Sequence, residues 1–141
     1  MTSTHADGIL PTNNEVFVFG SNYAGRHGKG AALVAKEQFG AAYGIGSGFM
    51  SAGSPKHSYA IPTKGHKLEV LSLGVIKTHV NCFIKFANKH STMKFFVSRI
   101  GCGLAGYQDH QIAPLFKGCE DNVIFPEEWA LFVAKNEIGC I

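Results

Sequence analysis

The chain has 141 residues, of which 45% are hydrophobic and 16% are charged. This balance excludes disorder driven by charge repulsion, and a chain of this length buries enough apolar surface to fold without disulfides. Thirteen Lys and Arg residues against ten Asp and Glu residues give a net charge of +3. That charge is too small for a protein that neutralises many phosphates of a nucleic acid, but it suits a small phosphorylated ligand.

The cysteines and the hydropathy pattern narrow the class of protein further. Cys82, Cys102, Cys119 and Cys140 lack the paired spacing of zinc sites or redox dithiols, so we expect free thiols, no metal and no cofactor. No apolar run reaches the ~20 residues of a membrane span, and residues 1–10 are too polar for a signal peptide. We therefore expect a cytoplasmic monomer. We expect that it does not bind a membrane and that a nucleic acid is not its main partner.

Apolar strands and amphipathic helices alternate along the chain. The run at 16–19 has no polar residue, which predicts a strand buried on both faces. From Ser72, which suits an N-cap, apolar residues recur three or four apart through Ala87 and predict a helix. In chain order, the first half is predicted to contain a poorly ordered or surface-bound arm at 1–15, a strand at 16–19, a loop from Ser21 to about His27, a helix at 30–39 stopped by Gly40, a long loop at 41–53 and a strand at 58–61 stopped by Pro62. The second half is predicted to contain the helix at 72–87, a strand at 94–100, a helix at 108–116, a strand at 122–125 and a short helix opened by Pro126.

Strands and helices that alternate at this spacing predict a mainly parallel sheet covered on both faces. We find no internal repeat and no linker, so residues 16–141 are expected to form one domain after the arm at 1–15. Ligands of such sheets bind at the carboxyl ends of the strands, where the loops gather.

Two clusters of glycines directly follow predicted strands. Residues 20–30 (GSNYAGRHGKG) lead into a helix, whose free amides and dipole favour an anion. They do not form a nucleoside-triphosphate loop, because Arg26 and His27 replace the required Lys and Ser or Thr. Residues 101–106 (GCGLAG) match the dinucleotide pattern, but they come too late in the chain for a Rossmann domain. The clusters predict a diphosphate clamped from two sides, with tight turns and close packing as the purely structural alternative.

Four strings along the chain together resemble the macrodomain superfamily. They are FGSN at 19–22, HGKGAA at 27–32, YAIPTK at 59–64 and RIGCGL at 99–104. The resemblance covers roughly residues 16 to 126 and is strongest to macro-like proteins of bacteria and phages and to the branch that includes the terminal ADP-ribose glycohydrolase. It implies a three-layer α/β/α sandwich that binds ADP-ribose or a derivative.

The same resemblance implies binding roles for both glycine loops. Asn22 would contact the terminal ribose, Gly28 and Gly30 would lie along that ribose and the diphosphate, and the second loop would close over the diphosphate. Tyr107 and Phe49 are candidates for stacking on the adenine or the ribose. The implied ligand-binding residues are Gly20, Asn22, Gly28, Lys29, Gly30, Ala31, Ile100, Gly101, Cys102, Gly103, Leu104, Ala105, Gly106 and Tyr107.

Catalysis by this chain is implied less completely. Lys64 matches the family's lysine that attacks the anomeric carbon of the ribose, but Ala105 stands where the family has an assisting aspartate. Asp109 and His27 are the other candidates for an acid or base. The implied reaction is hydrolysis of an ADP-ribosyl-protein ester or of ADP-ribose 1″-phosphate. The alternative, favoured by Ala105, is a module that captures ADP-ribose or a signalling nucleotide without turnover.

Overall fold

A computed structural model describes residues 3–12, 14–52 and 55–133. Six strands form one sheet in the order β1-β6-β5-β2-β4-β3. They are β1 (Ser3–His5), β2 (Glu15–Asn22), β3 (Gly48–Met50), β4 (Ser58–Lys64), β5 (Lys94–Val97) and β6 (Val123–Pro126). Every neighbouring pair is parallel except β3 with β4, which confirms the predicted mainly parallel sheet.

Helices cover both faces of the sheet, which confirms the α/β sandwich. The helices are α1 (Gly30–Gln38), α2 (Leu73–Lys89), α3 (Asp109–Ile112) and α4 (Ala130–Val133), with 3-10 turns at Ala113–Phe116 and Glu127–Trp129. Within the described residues, none of the helices is long and apolar enough to cross a membrane.

Strand β2 is buried on both faces, as its unbroken apolar run predicts. Val16 and Val18 belong to the core beneath α2, whereas Phe17 and Phe19 belong to the core beneath α1. This alternation follows from the two-residue period of a strand.

Helix α2 confirms the helical spacing seen in the sequence. Its buried residues Ile76, Val80, Phe83 and Ala87 face the sheet. The Ser72 hydroxyl accepts a hydrogen bond from the Val75 amide at 3.3 Å and caps the first turn.

The expected arm is instead part of the sheet at Ser3–His5. These residues form β1 and pair in parallel with β6, from Ser3 opposite Ile124 to His5 opposite Pro126. Three residues held by backbone pairing carry too little side-chain pattern to predict a strand.

The prediction of a long loop over 41–53 is wrong at Gly48–Met50, because these residues form β3, which pairs antiparallel with β4. The predicted stop at Pro62 is also wrong, because β4 continues to Lys64. Strand β3 pairs only with Ser58–Ala60, so β4 has an open edge at Pro62, where a missing N–H is tolerated.

Three other boundaries differ from the predictions. Strand β2 extends to Asn22, into the expected loop, and β5 ends at Val97 rather than at residue 100. The helix predicted at 108–116 becomes a single α turn followed by a 3-10 turn that begins beside Pro114, whose ring cannot continue an α-helix.

Replacing Phe83 tests the core beneath α2. Its side chain is fully buried, and its ring lies 5.1 Å from that of Tyr59 and 5.5 Å from that of Phe95, centroid to centroid. We expect Phe83→Ala to lower the free energy of unfolding in urea by about 3–5 kcal/mol. The control Val75→Ala, at an exposed position of the same helix, should cost no more than about 0.5 kcal/mol. Equal losses in the two variants would contradict this core.

Candidate functional site

A crevice of about 490 Å³ lies at the carboxyl end of β2. Because β2 lies between β4 and β5 and all three are parallel, the loops that follow them meet at one edge of the sheet. The predicted site residues that line the crevice are Gly20, Asn22, Gly28, Lys29, Gly30, Ala31, Lys64, Gly103, Leu104 and Ala105. The first glycine loop and part of the second therefore come together. In the sheet order, the first loop lies between the second loop, which follows β5, and Lys64, which ends β4.

Other lining residues were not among the predicted site residues. They are Ser21, Arg26, Ala32, Tyr43, Thr63, Leu68 and Arg99. Arg26 and Arg99 lie within or beside the strings that carry the macrodomain resemblance, so their charge was the available signal. Tyr43 and Leu68 lie in segments without any such pattern.

Several predicted ligand-binding residues lie outside the crevice lining, namely Ile100, Gly101, Cys102, Gly106 and Tyr107. Ile100 is buried in the core. The Tyr107 hydroxyl donates to the Leu71 carbonyl at 2.6 Å, and Phe49 stacks on Phe86 with a centroid distance of 5.3 Å. The two aromatic residues expected to stack on a ligand are therefore engaged elsewhere.

The Cys102 thiol shows no sign of activation. Burial is the main cause that raises its pKa to about 12, so it stays protonated at neutral pH. Among the residues that the structure describes, no three His, Cys, Asp or Glu side chains are grouped so that they could hold a metal ion.

The crevice is positively charged. Arg26, Lys29, Lys64 and Arg99 line it, and no Asp or Glu does so within the described part of the chain. Arg99 is paired with Asp109 and Asp7, which lie outside the lining, so its charge is largely balanced. Arg26, Lys29 and Lys64 supply the charge that favours an anionic ligand.

The first turn of α1 adds backbone donors to this charge. Lys29 is its N-cap in an extended conformation, no side chain caps the turn, and the turn contains no acidic residue. The first amides of a helix have no partner within the helix. Those of α1 therefore remain available to an anion, which the helix dipole also favours.

The Asn22 side chain closes the loop after β2. Its Nδ2 donates to the Arg26 carbonyl, and its Oδ1 accepts from the Arg26 amide, both at 3.0 Å. The 41–46 segment packs on this loop so closely that a Cβ at Gly25 would lie 2.3 Å from the Gly44 backbone, and one at Gly46 would lie 1.9 Å from the Asn22 carbonyl. Both glycines are thus required by close approach of backbone to backbone.

Asp109 lies outside the crevice lining, where neighbouring side chains hold its carboxylate. Its carboxylate accepts from Arg99 Nη2 at 2.7 Å and Nε at 3.1 Å, and from Trp129 Nε1 at 2.6 Å. The Arg99 hydrogen bond is the largest cause that lowers the pKa of Asp109. An ionised carboxylate with three donors anchors Arg99 and is poorly suited to pass protons.

His27 is a buried residue of the first loop and does not line the crevice. Its ring meets that of Phe19 edge to face at 5.3 Å. Burial is the largest cause that lowers the pKa of His27, and the charge of Lys36 lowers it further. A backbone interaction with Ile45 raises the pKa but does not offset these two causes. A neutral, enclosed imidazole contributes packing at this position.

Three solved structures share this fold. The macrodomain of Mycobacterium tuberculosis DarG aligns over 89% of this chain and 97% of its own, at 23% identity and a TM-score of 0.68. Thermosipho africanus DarTG, solved in complex with ADP-ribose, aligns over 83% of this chain and 39% of its own, at 17% identity and a TM-score of 0.56. A protein from Bacteroides thetaiotaomicron aligns over 82% of this chain and 90% of its own, at 18% identity and a TM-score of 0.56.

No protein-family model and no curated protein matches the sequence. The structural neighbours nevertheless define the class of fold, and this chain has the macrodomain fold that its four strings resembled.

The Asp109 ion pair predicts an acid-dependent loss of stability. The pKa of Asp109 is lower in the folded protein than in the unfolded chain, where it is about 4. Asp109 therefore contributes fully to the free energy of unfolding above that pH, and the contribution is lost as pH falls through the lower pKa of the folded state. At pH 7, Asp109→Asn should lower the free energy of unfolding by about 1–3 kcal/mol. The difference in the free energy of unfolding between Asp109→Asn and wild type should become smaller as pH falls from about 5 to 3.

The exposed Asp121 offers a matched control, and Asp121→Asn should leave stability at pH 7 unchanged within about 0.5 kcal/mol. A gap for Asp109→Asn that stays constant over this pH range would contradict the role assigned to the ion pair.

Proposed function

We propose that this chain binds ADP-ribose or a derivative of it in the crevice at the end of β2. The observation that carries the proposal is a crevice lined by four cations and by the free amides of α1, with no carboxylate among the described lining residues. It is supported by the fold shared with DarTG, a protein solved in complex with ADP-ribose. Backbone amides at a helix N-terminus are suited to a diphosphate.

In this proposal the two glycine loops hold the diphosphate between them. The amides of Gly30 and Ala31 lie on one side, and the Gly103–Ala105 segment lies on the other. The terminal ribose extends toward Lys64, which follows Thr63 at the end of β4, beside Asn22 at the end of β2. The register of β2 and β4, which pairs Asn22 with Lys64, supports this arrangement.

Lys64 is the proposed nucleophile of a hydrolytic reaction at the terminal ribose. After its ammonium loses a proton to water, Nζ bonds to the anomeric carbon, and the bond from that carbon to the leaving oxygen breaks with its electron pair. A proton then passes from Nζ to the ring oxygen as the bond between that oxygen and the anomeric carbon breaks, which opens the sugar to an iminium. Water hydrolyses the iminium to release ADP-ribose, the free amine and a proton. Of the three catalytic candidates, Lys64 alone lines the crevice.

The positions considered for an acid or base restrict the leaving group. Ala105 supplies no proton, Asp109 is bound to Arg99 and Trp129, and His27 is enclosed. A carboxylate or a phosphate departs as a stable anion without being protonated first. An ADP-ribosyl-protein ester and ADP-ribose 1″-phosphate are therefore the proposed substrates.

The same observations favour a second function, a module that binds ADP-ribose without turnover. Since the described residues that line the crevice include no Asp, Glu or His, Lys64 would in this case serve only as a cation that pairs with the ligand. The two functions differ in turnover but share the ligand and the crevice.

Comparing Lys64→Ala with wild type separates these functions. We expect wild type to release ADP-ribose from at least one of the two substrates, and we expect the variant to lose that turnover while calorimetry still detects ADP-ribose binding. Lys85→Ala, at an exposed position of α2, should behave as wild type. If wild type binds ADP-ribose but turns over neither substrate, the hydrolytic function is excluded and the function as a binding module stands. If wild type does not bind ADP-ribose, the proposed function as a whole is contradicted.

Asn22→Ala should weaken ADP-ribose binding, because the loop that presents Arg26 loses both of its closing hydrogen bonds. We expect a loss of about 1–3 kcal/mol, which is about 5-fold to 150-fold in the dissociation constant. Asn81→Ala, on the exposed side of α2, is the control. An unchanged affinity in Asn22→Ala would remove this loop from the binding site.

A further inference from the structure

Leu68 has a backbone conformation that leucine rarely adopts. Among the described residues it is the one residue other than glycine with a positive φ, 63°. In this left-handed region the Cβ crowds the backbone, so the position usually belongs to glycine or asparagine. Core packing does not explain the choice of leucine, because the residue is 43% exposed and lines the crevice.

A short hairpin after β4 holds Leu68 in this conformation. Lys64 bridges Val70 in antiparallel fashion, the Leu68 amide donates to the Gly65 carbonyl at 3.1 Å, and the Gly65 amide donates to the Glu69 carbonyl at 2.8 Å. Lys64 lies at the base of this hairpin and Leu68 at its turn. The hairpin therefore fixes an apolar side chain at the crevice, four residues from the proposed nucleophile.

A second exposed leucine lies across the crevice. Leu104 is 67% exposed and belongs to the loop after β5, whereas Leu68 belongs to the loop after β4. Because β2 separates β4 from β5, the two leucines approach the crevice from opposite sides. Exposed apolar side chains on both sides of a cationic crevice suit a ligand that has uncharged ring faces as well as anionic groups.

We propose that Leu68 is a positioning residue that packs on the uncharged face of the ligand's terminal ribose and holds the anomeric carbon beside Lys64, with Leu104 covering the ligand from the other side. This inference rests on the proposed binding of ADP-ribose. Backbone strain persists at functional positions where neighbouring hydrogen bonds over-determine it. Strain at Leu68 is accordingly retained because the side chain serves the ligand rather than the fold.

Leu68→Asn tests this role, because asparagine accepts the left-handed conformation but removes the apolar contact. We expect a melting temperature equal to that of wild type or higher by up to about 4 °C. The affinity for ADP-ribose should fall about tenfold, whereas the affinity for ADP, which lacks the terminal ribose, should stay within about twofold. Leu68→Met, which keeps an apolar side chain, should retain most of the affinity for ADP-ribose.

The control is Ile9→Asn, at an apolar position that is 55% exposed and outside the crevice lining; it should not change either affinity. If wild type binds ADP-ribose and Leu68→Asn binds it equally well, the inference about Leu68 is overturned while the proposed function stands. Equal losses for ADP and ADP-ribose would overturn the placement beside the ribose. If wild type does not bind ADP-ribose, the proposed function itself fails.

Discussion

The crevice exists because β2 pairs in parallel with β4 on one side and with β5 on the other. Parallel strands deliver their following loops to the same edge of a sheet, so three segments that are distant in sequence meet there. The pairing in turn requires β2 to be apolar on both faces, with Val18 in one core and Phe19 in the other. Burial of this strand thus positions Asn22, Lys64 and Arg99 around one cavity.

Charge is distributed unevenly around this cavity. The carboxylate of Asp109 pairs with Arg99 and also accepts from Trp129, so this acid is used to orient a cation. Arg26 and Lys29 have no carboxylate beside them among the described residues of the crevice lining. The site is therefore electrostatically suited to an anion, and the described residues that line it include no Asp, Glu or His to donate a proton. For the proposed hydrolysis, these two properties favour leaving groups that depart as anions.

The sequence predicted elements whose side chains carry a strong pattern, such as β2 and α2, and it placed the glycine-rich segment 20–30, which lines the crevice, after a strand. It missed β1 and β3, because strands of three residues are held by backbone pairing rather than by a side-chain pattern. Part of the second glycine loop lies outside the crevice lining. At Gly101 the backbone has a φ of 76° and a Cβ would lie 3.0 Å from Ile112, so the backbone here packs closely on the core. Leu68 could not be found, since a left-handed leucine has no sequence signature.

We propose above all that the diphosphate of ADP-ribose lies between the two glycine loops. Titration of the isotope-labelled protein with ADP-ribose, followed by amide NMR, tests it most directly, because the proposed contacts are backbone amides. We predict saturable shifts at Gly30, Ala31 and the Gly103–Ala105 segment, with amides of the exposed end of α2 near Lys89 unchanged. Saturable shifts confined to other surfaces, or no saturable shifts at all, would contradict the account.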